Sequence, residues 1–398
     1  MLCQRAAIRG AVRGISFRSR RSLSAALSSF EDDIDTIESI SGLSQSSKIE
    51  SSSLPNGIEV ISTGQSASSV IAVKLNGVGS ADGATGAGFA ASLMAFKTAN
   101  GMTDLARQRP LELAGLIPHA KVLKSSLVLA IEGTPNTAEM ATSAIGLSLG
   151  IDRDSYVDWE FDETMKAAKF PPPDIDTCIE TAAFGEGSFL ARPVISKSAL
   201  SSLVPETIES LIASAISQQP ITFIGIGIDH ADAISVAART FAQLSPRNAT
   251  SIPPIQFIHG GFASKTSAIA TTACAAALPA DSLLAGVLSF ALSPPPGVIL
   301  QPTESGLLVA KGAASKQSLI KLLSTDIDHL TSDDFAAAKL RYKTYLLSKS
   351  SLDLAFAIAD GSYLAAANGA LDTLSLDQAK ATLKGIEPAF AVVAPSDD

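Results

Sequence analysis

The chain has 398 residues, more than one ordinary hydrophobic core accommodates, so two domains are expected. Hydrophobic residues make up 46% and charged residues 17%, a sparsely charged surface that points to burial in an assembly. The net charge of −9 argues against nucleic acid as a partner, and three scattered cysteines exclude a disulfide framework or a thiolate metal site.

Residues 1–30 contain Arg5, Arg9, Arg13, Arg18, Arg20 and Arg21 and no acid; the first acid is Glu31. Taking those six charges from −9 leaves −15 for the rest. Ile8, Val12, Ile15 and Phe17 fall on one helical face. A cationic, acid-free amphipathic segment has the composition of a mitochondrial transit peptide, drawn by a negative-inside potential. Residues 31–53 read as a polar lead-in. The longest apolar run, Leu283 to Leu292, is half of what a bilayer span needs, and three prolines follow it closely.

From residue 54 onward strand-like and helical patterns alternate. Strands are expected at Ile58–Thr63, Val70–Leu75 and Val122–Glu132, with helices at Gly86–Thr98 and Thr137–Leu149, the latter capped through Thr134-Pro135-Asn136. A helix from Asp158 stops at Pro171-Pro172-Pro173. Pro205 opens a helix to Ile216, Ile221–Ile228 is a buried strand, and Asp229 caps a helix to Leu244. The second half gives strands at Thr266–Ala277, Gly306–Lys311 and Ala389–Ala394. Its helices are expected at Asp281–Leu292, Lys316–Leu323, Ser332–Leu347, Asp353–Ala367 and Leu376–Leu383.

Two stretches rhyme. VPETIESLIASAISQQPITFIGIGI and LSLDQAKATLKGIEPAFAVVAP are each a capped helix, a polar turn and an apolar strand. The spacing is too long for a solenoid and indicates a duplicated α+β domain. The domains are assigned to 54–250 and 251–398, joined by the polar Pro/Asn/Ser stretch at 246–254.

The motifs LPNGIEVIST and GSADGATGAGFAASLMAFKT resemble the opening strand and the zinc helix of pitrilysin/insulinase-type metallopeptidases. The resemblance implies two homologous domains, each a mainly antiparallel sheet covered by helices. In active members the helix carries His-x-x-Glu-His, and Met94-Ala95-Phe96-Lys97 sets the register. The two histidine positions are then Phe89 and Leu93, and the general-base position is Ser92. Phenyl and isobutyl groups have no lone pairs for zinc, and a serine hydroxyl is no substitute for the carboxylate base. The family's further glutamate ligand would come from DWEFDETMKAAKF, where Glu160 and Glu163 are expected as solvated helix charges. The four histidines, His119, His230, His259 and His329, are far apart in sequence. The resemblance therefore implies an inactive homologue with no catalytic residue, no metal and no cofactor; haem and iron–sulfur ligand sets are also missing from the sequence.

IETAAFGEGSFLARP, GIGIDHADAISVAARTF and IHGGFASK extend the resemblance over residues 54–398. Two inactive branches of the family compete. One comprises the matrix-side core subunits of mitochondrial ubiquinol–cytochrome c reductase (complex III). Their partners are a homologous core 1-like subunit and other complex III subunits, which hold them peripherally at the inner membrane. The other is the alpha subunit of the mitochondrial processing peptidase, which binds presequence peptides through a long glycine-rich loop. Between Asp281 and Lys311 only Gly286, Gly297 and Gly306 occur, around Pro294-Pro295-Pro296. A run of glycines free to visit positive φ is missing, which favours the core-subunit branch. The remaining motifs have plain explanations. Gly83-x-x-Gly86-x-Gly88 is a turn, Gly225-x-Gly227 allows close helix–strand packing, His259 is a turn histidine, and Asp326/Asp328 precede the Thr331 cap.

Overall fold

The computed structural model describes residues 49–395, apart from 66–67, 81, 98–102, 151–155, 169–174, 193–196, 201, 245–255, 268–271, 362 and 364–369. The arginine-rich segment 1–30, most of the lead-in, the triple proline at 171–173 and the 246–254 junction lie outside the described residues. Residues Ile49–Asp398 form one compact unit.

The first sheet contains β1 (Glu50–Ser53), β2 (Glu59–Gln65), β3 (Ser69–Asn76), β4 (Ile117–Val122), β5 (Ser126–Gly133) and β6 (Ile221–Gly227), in the order β1-β2-β6-β3-β5-β4. Its pairs are antiparallel except β2 with β6. The second sheet contains β7 (Phe262–Ser267), β8 (Ala273–Pro279), β9 (Val298–Pro302), β10 (Leu307–Gly312) and β11 (Ala389–Pro395), in the order β7-β11-β8-β10-β9. Here only β7 and β11 run parallel. Strand for strand, β7-β11-β8-β10-β9 repeats β2-β6-β3-β5-β4; β1 is an addition to the first sheet. The α+β duplication is thus written in the topology. It is also visible in the rhyming segments, which form a helix and the strand β6 or β11.

The helices follow the same repeat. They are α1 (Ala87–Met94), α2 (Asp104–Leu113), α3 (Ala138–Ser148), α4 (Asp158–Ala167), α5 (Ile175–Phe184), α6 (Pro205–Gln218) and α7 (His230–Thr240) in the first half. The second half has α8 (Ser282–Ala291), α9 (Lys316–Leu323), α10 (Ser332–Leu347), α11 (Ser351–Ala359) and α12 (Leu376–Leu383). Their ends obey local chemistry. Asp281 accepts from Leu284 N–H at 2.7 Å, Thr331 from Asp334 N–H at 3.2 Å, and Pro205 sits in the first turn of α6. Before α3, Thr137 Oγ1 accepts from Thr134 N–H at 3.2 Å.

Several expected elements divide. The strand expected at 122–132 is two, because Leu123–Ser125 turns the chain and β4 pairs back along β5. The strand expected at 266–277 is likewise β7 and β8. The end of the polar lead-in is strand β1. Helix α11 ends at Ala359, and most of the expected continuation to Ala367 lies outside the described residues.

Both faces of β3 are buried, with Val70 and Ala72 on one side and Ile71, Val73 and Leu75 on the other. A strand covered on both faces reads as a continuous apolar run. The face with Ile71, Val73 and Leu75 packs under α1, α3 and α6. The opposite face is covered by α11, a helix of the second half: Ala355 and Ile358 meet Val70, Ala72, Val128 and Ile224 in one core. The exchange is mutual. Helix α5, the first-half equivalent of α11, lies on the second sheet, where Ile179, Ala182 and Ala183 meet Ala275, Ala277, Ala389 and Ala391. Many of the chain's alanines are therefore interior, where a missing side chain lets helix and strand approach closely.

The β4–β5 and β9–β10 turns, equivalent under the repeat, meet in a polar junction. Lys124 Nζ pairs with the buried Glu180 carboxylate of α5 at 2.5 Å, and Ser305 Oγ donates to Glu180 at 3.0 Å. Lys124 N–H donates to Glu304 at 3.1 Å, and Lys311 pairs with Asp176 at 2.7 Å. Burial pushes the Glu180 carboxyl above its ordinary value, while Lys124 opposes the shift; Glu304 is raised for the same reason.

Candidate functional site

Helix α1 leaves a tight turn in which Gly79 N–H donates to the Asp82 carboxylate at 2.8 Å. A Cβ on Gly88 would stand 2.3 Å from the Gly79 carbonyl, so only glycine lets the helix start this close to the turn. Gly83, Gly86 and Gly88 are thus a packed turn and helix start. Gly225 has the close-packing role expected of it: a Cβ there would meet Ile228 at 2.7 Å and Ala233 of α7 at 3.5 Å.

Ala87, Gly88, Ala90, Ala91 and Met94 bury the inner face of α1. The three expected site positions share its other, half-buried face, as spacing of three and four residues requires. Leu93 packs at the margin of the first-sheet core. Ser92 spends its hydroxyl within its own helix, donating to the Phe89 carbonyl at 2.7 Å. The position expected to hold a general base is therefore capped locally.

Helix α4 faces α1, and a cleft of about 770 Å³ opens between them. Its walls include Leu93 and Lys97 from the end of α1, Asp104 and Leu105 from α2, and Trp159, Glu160 and Glu163 from α4. Lys97 and Asp104 pair across the mouth at 2.9 Å. Arg107 ties α2 to its surroundings, donating to the Lys97 carbonyl and, at 2.8 Å, to Ser148. Leu105 and Trp159 are 71% and 62% exposed, an apolar lip on an acidic cleft.

Glu160 departs from expectation. It is 6% exposed, beside Phe161 and Met165, whereas Glu163 is the solvated charge expected of both. Alternation on α4 turns residues 160, 161 and 165 inward, and this cannot be judged without knowing which helix lies opposite. Helix α2 and strand β4 were also outside the expected elements. The signal for α2 was present in Thr103-Asp104, where Thr103 Oγ1 accepts from Ala106 N–H at 3.3 Å; Pro110 inside the helix obscured it.

The zinc of the resembling family finds a poor fit here. The two histidine positions hold a phenyl ring and an isobutyl group, the base position an internally bonded hydroxyl, and only Glu160, on α4, offers a buried donor beside them. The histidines lie elsewhere. His119 stands 4.0 Å from Glu132, His230 bridges Ser52 and Ser62 at 2.6 and 2.8 Å, and His259 and His329 are exposed. Among the described residues no three His, Cys, Asp or Glu side chains are grouped to hold a metal, and no helix is long and apolar enough to cross a membrane.

The chain folds as two helix-covered, mainly antiparallel sheets joined by exchanged helices, and this fold is that of a solved protease. A solved structure, a protease from Helicobacter pylori, matches with a TM-score of 0.71, covering 88% of this chain and 100% of that one. At 12% identity the likeness is one of fold. No family model and no curated protein matches the chain.

Proposed function

We propose that the chain is a non-catalytic structural subunit equivalent to core protein 2 of mitochondrial ubiquinol–cytochrome c reductase, on the matrix side of the inner membrane. The observation that carries this reading is the outer face of α1. By the register that the resemblance implies, Phe89, Ser92 and Leu93 take the family's metal and base positions, and the Ser92 hydroxyl donates to the Phe89 carbonyl. A helix that closes one wall of a cleft with packing groups supports assembly, not hydrolysis. Each of the three glycines between Asp281 and Lys311 has a local duty. Gly286 lies against the Tyr342 ring, and Gly297 and Gly306 are turn residues with φ of 80° and 76°. That region therefore supports a scaffold over a flexible presequence-gripping loop. The subunit would pair with a homologous core 1-like chain and contact the membrane through partners. Native gel electrophoresis with mass spectrometry tests the assignment: the chain should co-migrate with cytochrome b, and its absence from that band would sink the reading.

A second reading draws on the cleft itself. Asp104, Glu160 and Glu163 beside Leu105 and Trp159 suit an arginine-rich amphipathic peptide, as the presequence-binding alpha subunit of the processing peptidase requires. Binding of a transit peptide at low salt, by the chain with a beta-type partner, would favour it over the scaffold role.

A further inference from the structure

The two sheets share one strand order, but their first edges differ. In the first sheet β2 carries β1 antiparallel, from Glu50 opposite Ser62 to Ser53 opposite Glu59. In the second sheet the equivalent strand β7 is the last in the order, with no strand beside it among the described residues. Of the described residues just before β7, Ile258 turns its N–H away to the Ala183 carbonyl of α5 at 2.7 Å.

The open side is fully equipped for pairing. Phe390 N–H donates to the Gly261 carbonyl at 2.8 Å, and the parallel register Phe390 opposite Phe262 then directs Ala263 and Lys265 to β11. The N–H and C=O groups of Phe262, Ser264 and Thr266 consequently point outward. Phe262, Ser264, Lys265 and Thr266 are exposed, Phe262 by 60%. An exposed edge of six residues with an aromatic and no proline is the kind that proteins otherwise cover.

A cleft of about 720 Å³ runs beside this edge on the α5 side, lined by Thr177, Thr181, Glu186, Ile258 and Lys265. A strand laid on β7 would turn alternate side chains into it. The other set would cover Phe262, which stacks on Phe390 at 6.1 Å. Charge fixes the polarity. On the cleft side Lys265 lies toward the C-terminal end of β7, and Glu387 beside Gly260 and Glu186 lie toward its N-terminal end; Lys316 stands on the other face, over the Phe262 and Phe390 rings. An antiparallel strand therefore begins near a cation and ends near carboxylates, and β1 itself begins with Glu50.

We propose that the free edge of β7 docks an extended segment of a partner protein by strand addition, antiparallel, with an acidic residue at its start and a basic one at its end. Apolar side chains would face Phe262, and hydroxyl or small ones would enter the cleft. This inference holds whichever complex the chain serves, since it rests on the second sheet alone.

The test uses the full chain and the synthetic peptide Glu-Val-Ser-Val-Ser-Val-Lys, with amide exchange followed by NMR. At about nine times its dissociation constant the peptide should slow the amides of Phe262, Ser264 and Thr266 about tenfold and leave Ala263 and Lys265 unchanged. Ser264→Pro, which removes an outward N–H, should abolish the effect, and Ser264→Ala should keep it. If the proline variant does not fold, a peptide N-methylated throughout asks the same question of the intact protein and should not bind. The proposal is overturned by any of three results. They are no slowing at saturating peptide, slowing that survives proline or N-methylation, or equal binding of the charge-reversed Lys-Val-Ser-Val-Ser-Val-Glu.

Discussion

The exchange of α5 and α11 makes a quantitative prediction about cooperativity. Ile358 is 2% exposed on α11, a second-half helix, yet that helix packs on β3, β5 and β6, and Ile358 shares one core with Val70, Ala72, Val128 and Ile224 of the first sheet. Ile358→Ala removes three carbons from that contact. At about 0.8 kcal/mol per buried methylene the transfer loss is about 2.4 kcal/mol, and the unfilled space raises it to about 3 kcal/mol. The loss belongs to both halves at once, because the first sheet loses the cover of one whole face when α11 loosens. Amide exchange in β3 should therefore accelerate by roughly 150-fold under conditions of global opening, the ratio that about 3 kcal/mol represents. Strands β8 and β11 should accelerate equally. Exchange monitored by mass spectrometry after proteolysis reads all three strands in one experiment. Acceleration confined to the second half, or two separate unfolding transitions, would refute the idea that the exchanged helices fuse the halves into one cooperative unit.

Three further outcomes follow from the site and the core. Wild-type protein should hold zinc well below stoichiometric amounts, whereas the triple change Phe89→His, Ser92→Glu and Leu93→His should bind about one ion per chain by chelator competition; equimolar zinc in the wild type would overturn the register. Gly286→Ala should cost about 1–3 kcal/mol in chemical denaturation, since its Cβ would stand 2.4 Å from the buried Tyr342 ring. Burial raises the Glu180 carboxyl, so between the ordinary carboxylate value and the raised one the folded chain binds a proton that the unfolded chain has released. Glu180 thus adds stability at the acidic end of that window, lost as pH rises through it. Glu180→Gln should flatten this part of the profile, measured as denaturation midpoint against pH; an unchanged slope would mean that another group carries it.

Much of the molecule is determined by short-range pattern. The run Val70–Leu75 reads as a strand from its β-branched residues and is one, and Thr331 and Asp281 start helices through their own side chains. The rhyme between the segments ending in β6 and β11 discloses a duplication that the strand orders repeat. The common face of Phe89, Ser92 and Leu93 follows from their spacing of three and four residues on one helix. These features are legible because each depends on neighbours within a few residues.

Other features were decided only in three dimensions. The edge strands β4, β7 and β9 are short and half-exposed, and their pairing depends on partners chosen across the sheet, so periodicity merges or misses them. The single strand expected at 122–132 contains a turn whose meaning comes from β4 folding back along β5. Glu160 and Glu163 are three residues apart on one helix, and only the packing of α4 against α1 separates a buried carboxylate from a solvated one. The deepest case is the exchange of α5 and α11. Nothing in either helix states whose sheet it will cover, because an apolar helical face fits any apolar sheet of matching shape. Local patterns of the chain determined two α+β halves and a helix that carries Phe89, Ser92 and Leu93 on one face. The tertiary structure alone decided that each half is completed by a helix of the other, since that choice is made by long-range complementarity between surfaces that no local pattern encodes.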